Sequence, residues 1–331
     1  MNALLTLLTV FPFVLAVVLA NVAERRPSLR PLLYTYLFLL NGLLMFVGLS
    51  SALVGLLGPQ AALAQMGPAL QKVDWVASGA VLVIGTALAW VALLPAARRL
   101  AARVLPIDAQ SHVHATALSM TATVLGGNLY QMGLSSALLS PEAVAQAGDA
   151  LAATYLDILI FPLLVLSMTA LIAVGWLTRR SWSEVVARLG LTVPTPPQLG
   201  LAVLVTALMI GLAYATDQAW AAIDPVSREG VGGVSSALLG NFTGITGAFA
   251  IGITAAIGEE LFFRGAYLPR MGLVMSAVLF ASFHVQYFIS PATLLLLVFG
   301  LMFGVLRQRT SLTIAILVHF LYNFVSTLIG G

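Results

Sequence analysis

Of 331 residues, 60% are hydrophobic and 8% charged, and the mean hydropathy is +1.02; a water-soluble domain carries about 25% charged residues, so lipid is the main solvent for this chain. The absence of cysteine excludes disulfides, thiolate metal sites and a cysteine nucleophile. The net charge of +3 resides in arginines of short loops, with no basic patch interleaved with aromatics, a pattern of membrane-flanking loops and not of nucleic-acid binding.

The first apolar run, 4–20, has no Lys or Arg before it and is followed by Glu24, Arg25 and Arg26. That charge order predicts a retained span with its N-terminus outside, not a cleaved signal peptide. Further runs follow at 32–57, 73–94, 115–139, 155–177, 199–220, 246–268, 272–289, 292–306 and 312–329. The expected fold is an all-α polytopic transmembrane bundle of about ten spans. The run 115–139 is the weakest, diluted by Thr121, Thr123, Asn128 and Gln131. Retaining it makes every second loop basic: Arg25/Arg26/Arg30, Arg98/Arg99/Arg103, Arg179/Arg180/Arg188, Arg270 and Arg307/Arg309 fall inside, while Glu142/Asp149 and Asp217/Asp224/Glu229 fall outside. Lys72 and Arg228 depart from that rule, each beside acids.

A boundary is readable near residue 180. Ser181 and Glu184 have capping-box spacing, Trp182, Val185, Val186 and Leu189 share a helix face opposite Arg188, and Gly190 and a proline cluster follow. These features predict an amphipathic helix near 181–190 lying on the membrane surface. It separates an N-terminal region, 1–180, of unassigned role from a region 181–331. His112 and His114 form an H-x-H pair at the headgroup level, Asp157 is expected at the interface, and Gly126, Gly127, Gly232, Gly233, Gly244, Gly247 and Gly252 suggest close helix contact.

Region 181–331 carries the chemistry. Glu259 and Glu260 stand in tandem in an apolar run, with Arg264 four residues after the second. Carboxylates inside a bilayer are costly and mark sites of chemistry, ion paths or paired charges. Phe280 and His284, then His319 and Asn323, follow at i, i+4 spacing on separate expected spans. Counted from the inner end of each span at ~1.5 Å per residue, Glu259, His284 and His319 lie at depths of roughly 15, 18 and 12 Å. A carboxylate held out of water can take a proton from a water molecule, a neighbouring imidazole can orient that water, and a histidine with an asparagine can stabilise an oxyanion. Glu260 is placed to pair with Arg264, leaving Glu259, about 100° away around the helix, without a local cation.

The order Glu-Glu-x-x-x-Arg, Phe-x-x-x-His, His-x-x-x-Asn on successive helices resembles the CPBP family of intramembrane glutamate proteases, also called the CAAX prenyl protease and abortive infection family. The resemblance covers 181–331, including the Arg188-Leu-Gly-Leu stretch. It implies that Glu259 activates water with His284, that His319 and Asn323 stabilise the oxyanion, and that Glu260 and Arg264 hold the site together. It also implies a peptidase without metal or other cofactor, acting on a membrane-associated or lipidated protein or peptide. One Lys against fourteen Arg points to a GC-rich bacterial genome, hence a bacterial cytoplasmic membrane with the site opening inward. Two competing readings use the same residues: a zinc protease with Glu259, His284 and His319 as ligands, although H-E-x-x-H is missing, and a non-catalytic bacteriocin-immunity or scaffold protein. A proton-relay transporter is disfavoured by the missing internal symmetry.

Overall fold

The computed structural model describes residues 3–58, 71–138, 144–145, 151 and 154–330. Among them the chain forms helices joined by turns, with no strand. Seven helical stretches are long and apolar enough to cross a membrane, against the ten or so expected. The N-terminal run forms α1 (Ala3–Arg25), which is not among the seven. The weak run forms a helix too polar to count, and 246–268 and 272–289 merge into one apolar stretch, Gly244–Ser282. The Glu142/Asp149 loop lies outside the described residues.

The N-terminal region is built on α1, α2 (Arg30–Leu57), α3 (Trp75–Leu93), the short α4 (Pro95–Ala101) and α5 (His112–Ser135). Glycines let their backbones meet: a Cβ on Gly79 would stand 2.4 Å from the Gly48 carbonyl oxygen, and one on Gly85 2.7 Å from the Gly126 Cα. In lipid, where no hydrophobic force draws helices together, such approach and interhelical hydrogen bonds supply the attraction. The polar residues that dilute α5 supply those bonds. Thr123 donates to the side-chain Oδ1 of Asn41, Thr121 shares a 2.7 Å hydrogen bond with the Tyr267 hydroxyl, and the Asn128 amide donates to Ser282 at 3.0 Å. Thus α5 fastens the N-terminal helices to 181–331. Of the other glycines expected at contacts, Gly252 meets Phe320, whereas a Cβ on Gly127, Gly232 or Gly244 would meet nothing within 4 Å among the described residues.

The next span is α6 (Tyr155–Ile160), a π-helical segment over Phe161–Leu166, and α7 (Ser167–Ala173). Pro162 lacks an N–H, which loosens the hydrogen-bond ladder and favours the wider turn. The capped helix forms as expected: α8 (Trp182–Leu189) has the Glu184 carboxylate accepting the Ser181 N–H at 2.8 Å and ends on Gly190 in the left-handed conformation, φ 75°. Val185 and Leu189 are buried and Trp182 is exposed. Then come α9 (Pro196–Ile223), α10 (Pro225–Leu239) and α11 (Gly244–Glu259), which continues as a second π segment, Glu260–Tyr267, into α12 (Leu268–Ser282). Inside α12, Gly272 at φ 81° breaks the helix and reverses the chain, so that Ser276 donates to the Phe263 carbonyl at 2.9 Å. Helices α13 (Pro291–Arg309) and α14 (Leu312–Gly330) complete the bundle.

The loops expected inside gather at one end. Arg25 donates to the Thr178 and Arg179 carbonyls, Glu24 accepts from Ser111 and from the His112 N–H, and Arg307 donates to the Leu189 carbonyl. At the opposite end Arg228 and Asp217 form a two-pronged ion pair at 2.7 and 2.9 Å. Helix α1 runs toward the arginine end and α14 away from it. In intact cells an impermeant maleimide should therefore label a cysteine at Ile329 and spare one at Arg103, both of which are exposed; the reverse pattern would invert the orientation.

Candidate active site

Glu259 is the last residue of α11, and Glu260 opens the π segment. The chain can carry two carboxylates here because its neighbours press close. A Cβ on Gly258 would stand 1.8 Å from the Pro162 carbonyl oxygen, so the backbone just before the glutamates lies against the first π segment. On the other side, a Cβ on Gly265 would meet Leu189 of α8 at 2.7 Å and Leu312 at 3.2 Å. Helix α8 is therefore a floor for the motif as well as a linker. A π turn widens the helix and commonly marks functional positions.

Glu260 and Arg264 are both fully buried. Arg264 Nη1 donates to Glu260 Oε1 at 2.8 Å and Nη2 to the Gly300 carbonyl at 3.2 Å. The guanidinium carbon lies 4.2 Å from the centre of the Phe280 ring and 5.0 Å from that of Phe303, an aromatic cage that receives a cation away from water. Gly300 can bring its carbonyl here because it packs on Ala277, which a Cβ would meet at 2.9 Å. The sequence pairs Glu260 with Arg264 alone; the structure adds His319, whose Nδ1 lies 2.9 Å from the same Oε1. His319 also stacks on Phe303 at 4.8 Å between ring centres. Since a carboxylate accepts, Nδ1 carries the proton. Nε2 then faces Glu259, at 4.0 Å from Oε2, too long for a hydrogen bond. The Glu259 carboxylate is thus held beside an imidazole without being consumed by an ion pair.

His284 departs from its expected setting. A helix running to 289 would carry it on a regular span, but α12 ends at Ser282 and His284 follows in a loop with φ −93° and ψ 57°. The cause is the break at Gly272, which leaves only 273–282 as helix, ~15 Å of rise and about half the hydrocarbon thickness. The loop also holds Phe288 at φ 55°, a conformation costly for a residue with a Cβ. Irregular backbone at membrane depth persists where it is buried in protein or lines a watery cavity. His284 Nδ1 lies 3.0 Å from the Phe280 carbonyl and so donates to it, which leaves Nε2 as an acceptor in the neutral ring. Tyr287 stacks on His284 at 6.2 Å.

Asn323 lies one turn beyond His319 on α14, half-buried and with no hydrogen-bond partner among the described residues. Four of the residues expected to act together, Glu259, Glu260, Arg264 and His319, are in one connected cluster. His284 joins it through Phe280, whose ring lies 4.9 Å from His284 and 6.1 Å from His319. Sequence reasoning missed the roles of Phe280, Phe303 and Gly300. Only Phe280 had a signal, its spacing to His284.

Residues 241–325 match the family model for type II CAAX prenyl endopeptidase Rce1-like proteins, and that stretch contains Glu259, Glu260, Arg264, His284, His319 and Asn323. That stretch is similar to a family of CAAX-type proteases, which are hydrolases. No curated protein and no solved structure matches the chain. His112 and His114 lie outside the matched stretch: His112 Nδ1 meets the Tyr34 hydroxyl at 2.9 Å, and His114 Nδ1 accepts the Asp108 N–H at 2.8 Å.

Glu260→Gln leaves Arg264 as a buried charge without its counter-ion. The expected loss is about 3–5 kcal/mol, read as a lower melting temperature and poor expression in detergent. Exchanging the charges, Glu260→Arg with Arg264→Glu, should not restore them, because an arginine at 260 would face His319 Nδ1 and a carboxylate at 264 would face the Gly300 carbonyl. A Glu260→Gln protein as stable as wild type would separate the cluster from folding. Gly258→Ala should destabilise by about 3 kcal/mol or more in the same measurement, since backbone stands where the methyl would go.

Proposed function

We propose that this protein is a glutamate-type, metal-independent intramembrane endopeptidase that hydrolyses a peptide bond of a membrane-associated or lipidated protein, with Glu259 as general base. The observation that carries this reading is the contrast between the tandem carboxylates. Glu260 is bonded to Arg264 and His319, whereas Glu259, the preceding residue, has no hydrogen bond among the described residues and points toward His319 Nε2.

In this mechanism Glu259 removes a proton from a water molecule that His284 Nε2 helps to orient. The water oxygen attacks the carbonyl carbon, and the oxyanion receives hydrogen bonds from the Asn323 amide and, when protonated at Nε2, from His319. The proton held by Glu259 passes to the leaving nitrogen as the C–N bond breaks. Glu260 and Arg264 touch no reacting atom; they fix the orientation of His319. The metal-free reading is supported by the donor geometry, since among the described residues no three His, Asp or Glu side chains are grouped to hold one ion. The arginine loops support an inward-opening site in a bacterial cytoplasmic membrane, with region 181–331 as catalytic core and 1–180 as an added bundle.

The test is cleavage of membrane-anchored peptides, lipidated and not, by purified protein in liposomes. Glu259→Gln should keep the wild-type melting temperature and lose cleavage. Asn323→Ala should lower kcat by about a hundred- to a thousandfold with KM little changed, and EDTA and phenanthroline should leave the rate intact. Chelator-sensitive activity restored by zinc would favour a zinc protease, and absence of cleavage in the wild type would favour an immunity or scaffold role.

A further inference from the structure

A cavity of about 610 Å³ lies between α1, α5, the 155–173 span and the back of the second π segment. Glu259 does not line it. Its walls are apolar along most of their length, formed by Val14, Val17, Met120, Val124, Leu166 and Phe262, and its volume is that of a ligand pocket. At the arginine end of the bundle the lining changes to Arg179, Arg180, Arg188 and Arg270.

The nearest acids, Glu24 for Arg179 and Glu184 for Arg180, act on these cations only at a distance. Among the described residues none of them makes an ion pair. The acids that share the lining are engaged elsewhere: Glu24 accepts the Ser111 hydroxyl at 2.7 Å and the His112 N–H at 2.8 Å, and Asp108 accepts the Gln110 N–H at 2.8 Å. His114 accepts the Asp108 N–H at 2.8 Å, and the hydroxyls of Tyr130 and Tyr267 meet Ser51 and Thr121. Arg179 Nε is buried without a hydrogen-bond partner. Burial, and then the charges of Arg270, Arg180, Arg307 and Arg179, depress the Arg188 pKa. Like charges gathered at one end of an oily cavity repel one another unless an anion joins them.

We propose that this cavity binds an anionic phospholipid of the surrounding bilayer, its phosphate among Arg179, Arg180, Arg188 and Arg270 and an acyl chain along the apolar walls. Both requirements, an oily tail and a negative head at the membrane surface, are met by the bulk solvent of this protein. Because α5 and the back of the π segment form opposite walls, the lipid cements the N-terminal helices to the catalytic core, a role that does not depend on whether any peptide is cleaved.

The experiment adds phosphatidylglycerol or phosphatidylcholine with identical acyl chains to delipidated full-length protein in detergent, and reads melting temperature and retained lipid by native mass spectrometry. Phosphatidylglycerol should raise the melting temperature more and be retained in preference. Arg188→Gln with Arg270→Gln should weaken its binding about tenfold or more, and Ala117→Phe, which fills the cavity while leaving the arginines, should weaken binding of both lipids. Ala117→Phe keeps the question open to test if the arginine variant does not fold. Equal effects of the two lipids, a phosphatidylglycerol preference that survives the arginine substitutions, or binding unchanged in Ala117→Phe would overturn the proposal. So would equal stabilisation by glycerol phosphate, which assigns a site for free phosphate, or displacement of the retained lipid by a lipidated peptide, which assigns the cavity to substrate.

Discussion

A buried guanidinium organises this protein. Arg264 has no solvent exposure, and its charge is held by Glu260, the Gly300 carbonyl and the faces of Phe280 and Phe303. A charge removed from water is tolerable only where its partners are close and well placed; among the described residues Arg264 Nε and Glu260 Oε2 stay buried without a hydrogen bond. That demand brings the second π segment, α12, α13 and α14 to one point. His319 enters the same network through Glu260 and is thereby fixed in tautomer and direction, so an interaction that stabilises the fold also orients the imidazole beside Glu259.

Two departures from the α-helix make the arrangement possible. The π segment at Glu260–Tyr267 widens the turn at the charged motif, and the π segment at Phe161–Leu166 offers its Pro162 carbonyl edge to Gly258. The break at Gly272 then returns the chain on itself and ends α12 early, so that His284 enters from a loop. Regular helices alone would bury Glu259 against apolar side chains. Irregular backbone beside it needs hydration or protein partners, and a hydrolase needs water at that place.

The polar residues of α5 show how composition misleads in a membrane. Thr121, Thr123 and Asn128 lower the apparent apolarity of this helix, yet they bond to Tyr267, Asn41 and Ser282 inside the bundle. Polar side chains that pair between helices are contacts and carry no penalty of exposure to lipid. Counting spans by hydropathy therefore drops α5, while the alternation of basic loops retains it, and the grouping of those loops at one end agrees with the alternation.

Composition and periodicity alone determined that the chain is a helical membrane protein, that basic loops alternate, that a capped helix follows Arg180, and that Glu259, Glu260, Arg264, His284, His319 and Asn323 form the candidate set. These follow from local rules: helix length against bilayer thickness, capping chemistry and i, i+4 spacing, all legible along one strand of text. Only the tertiary structure decided that His319 shares Glu260 with Arg264, that Phe280, Phe303 and Gly300 complete the cage, that His284 lies beyond a helix end, and that Gly258 meets Pro162. Each of these joins residues from separate helices, and the rotation of one helix against another depends on small-residue packing and on a wider π turn, neither of which has a period in the sequence.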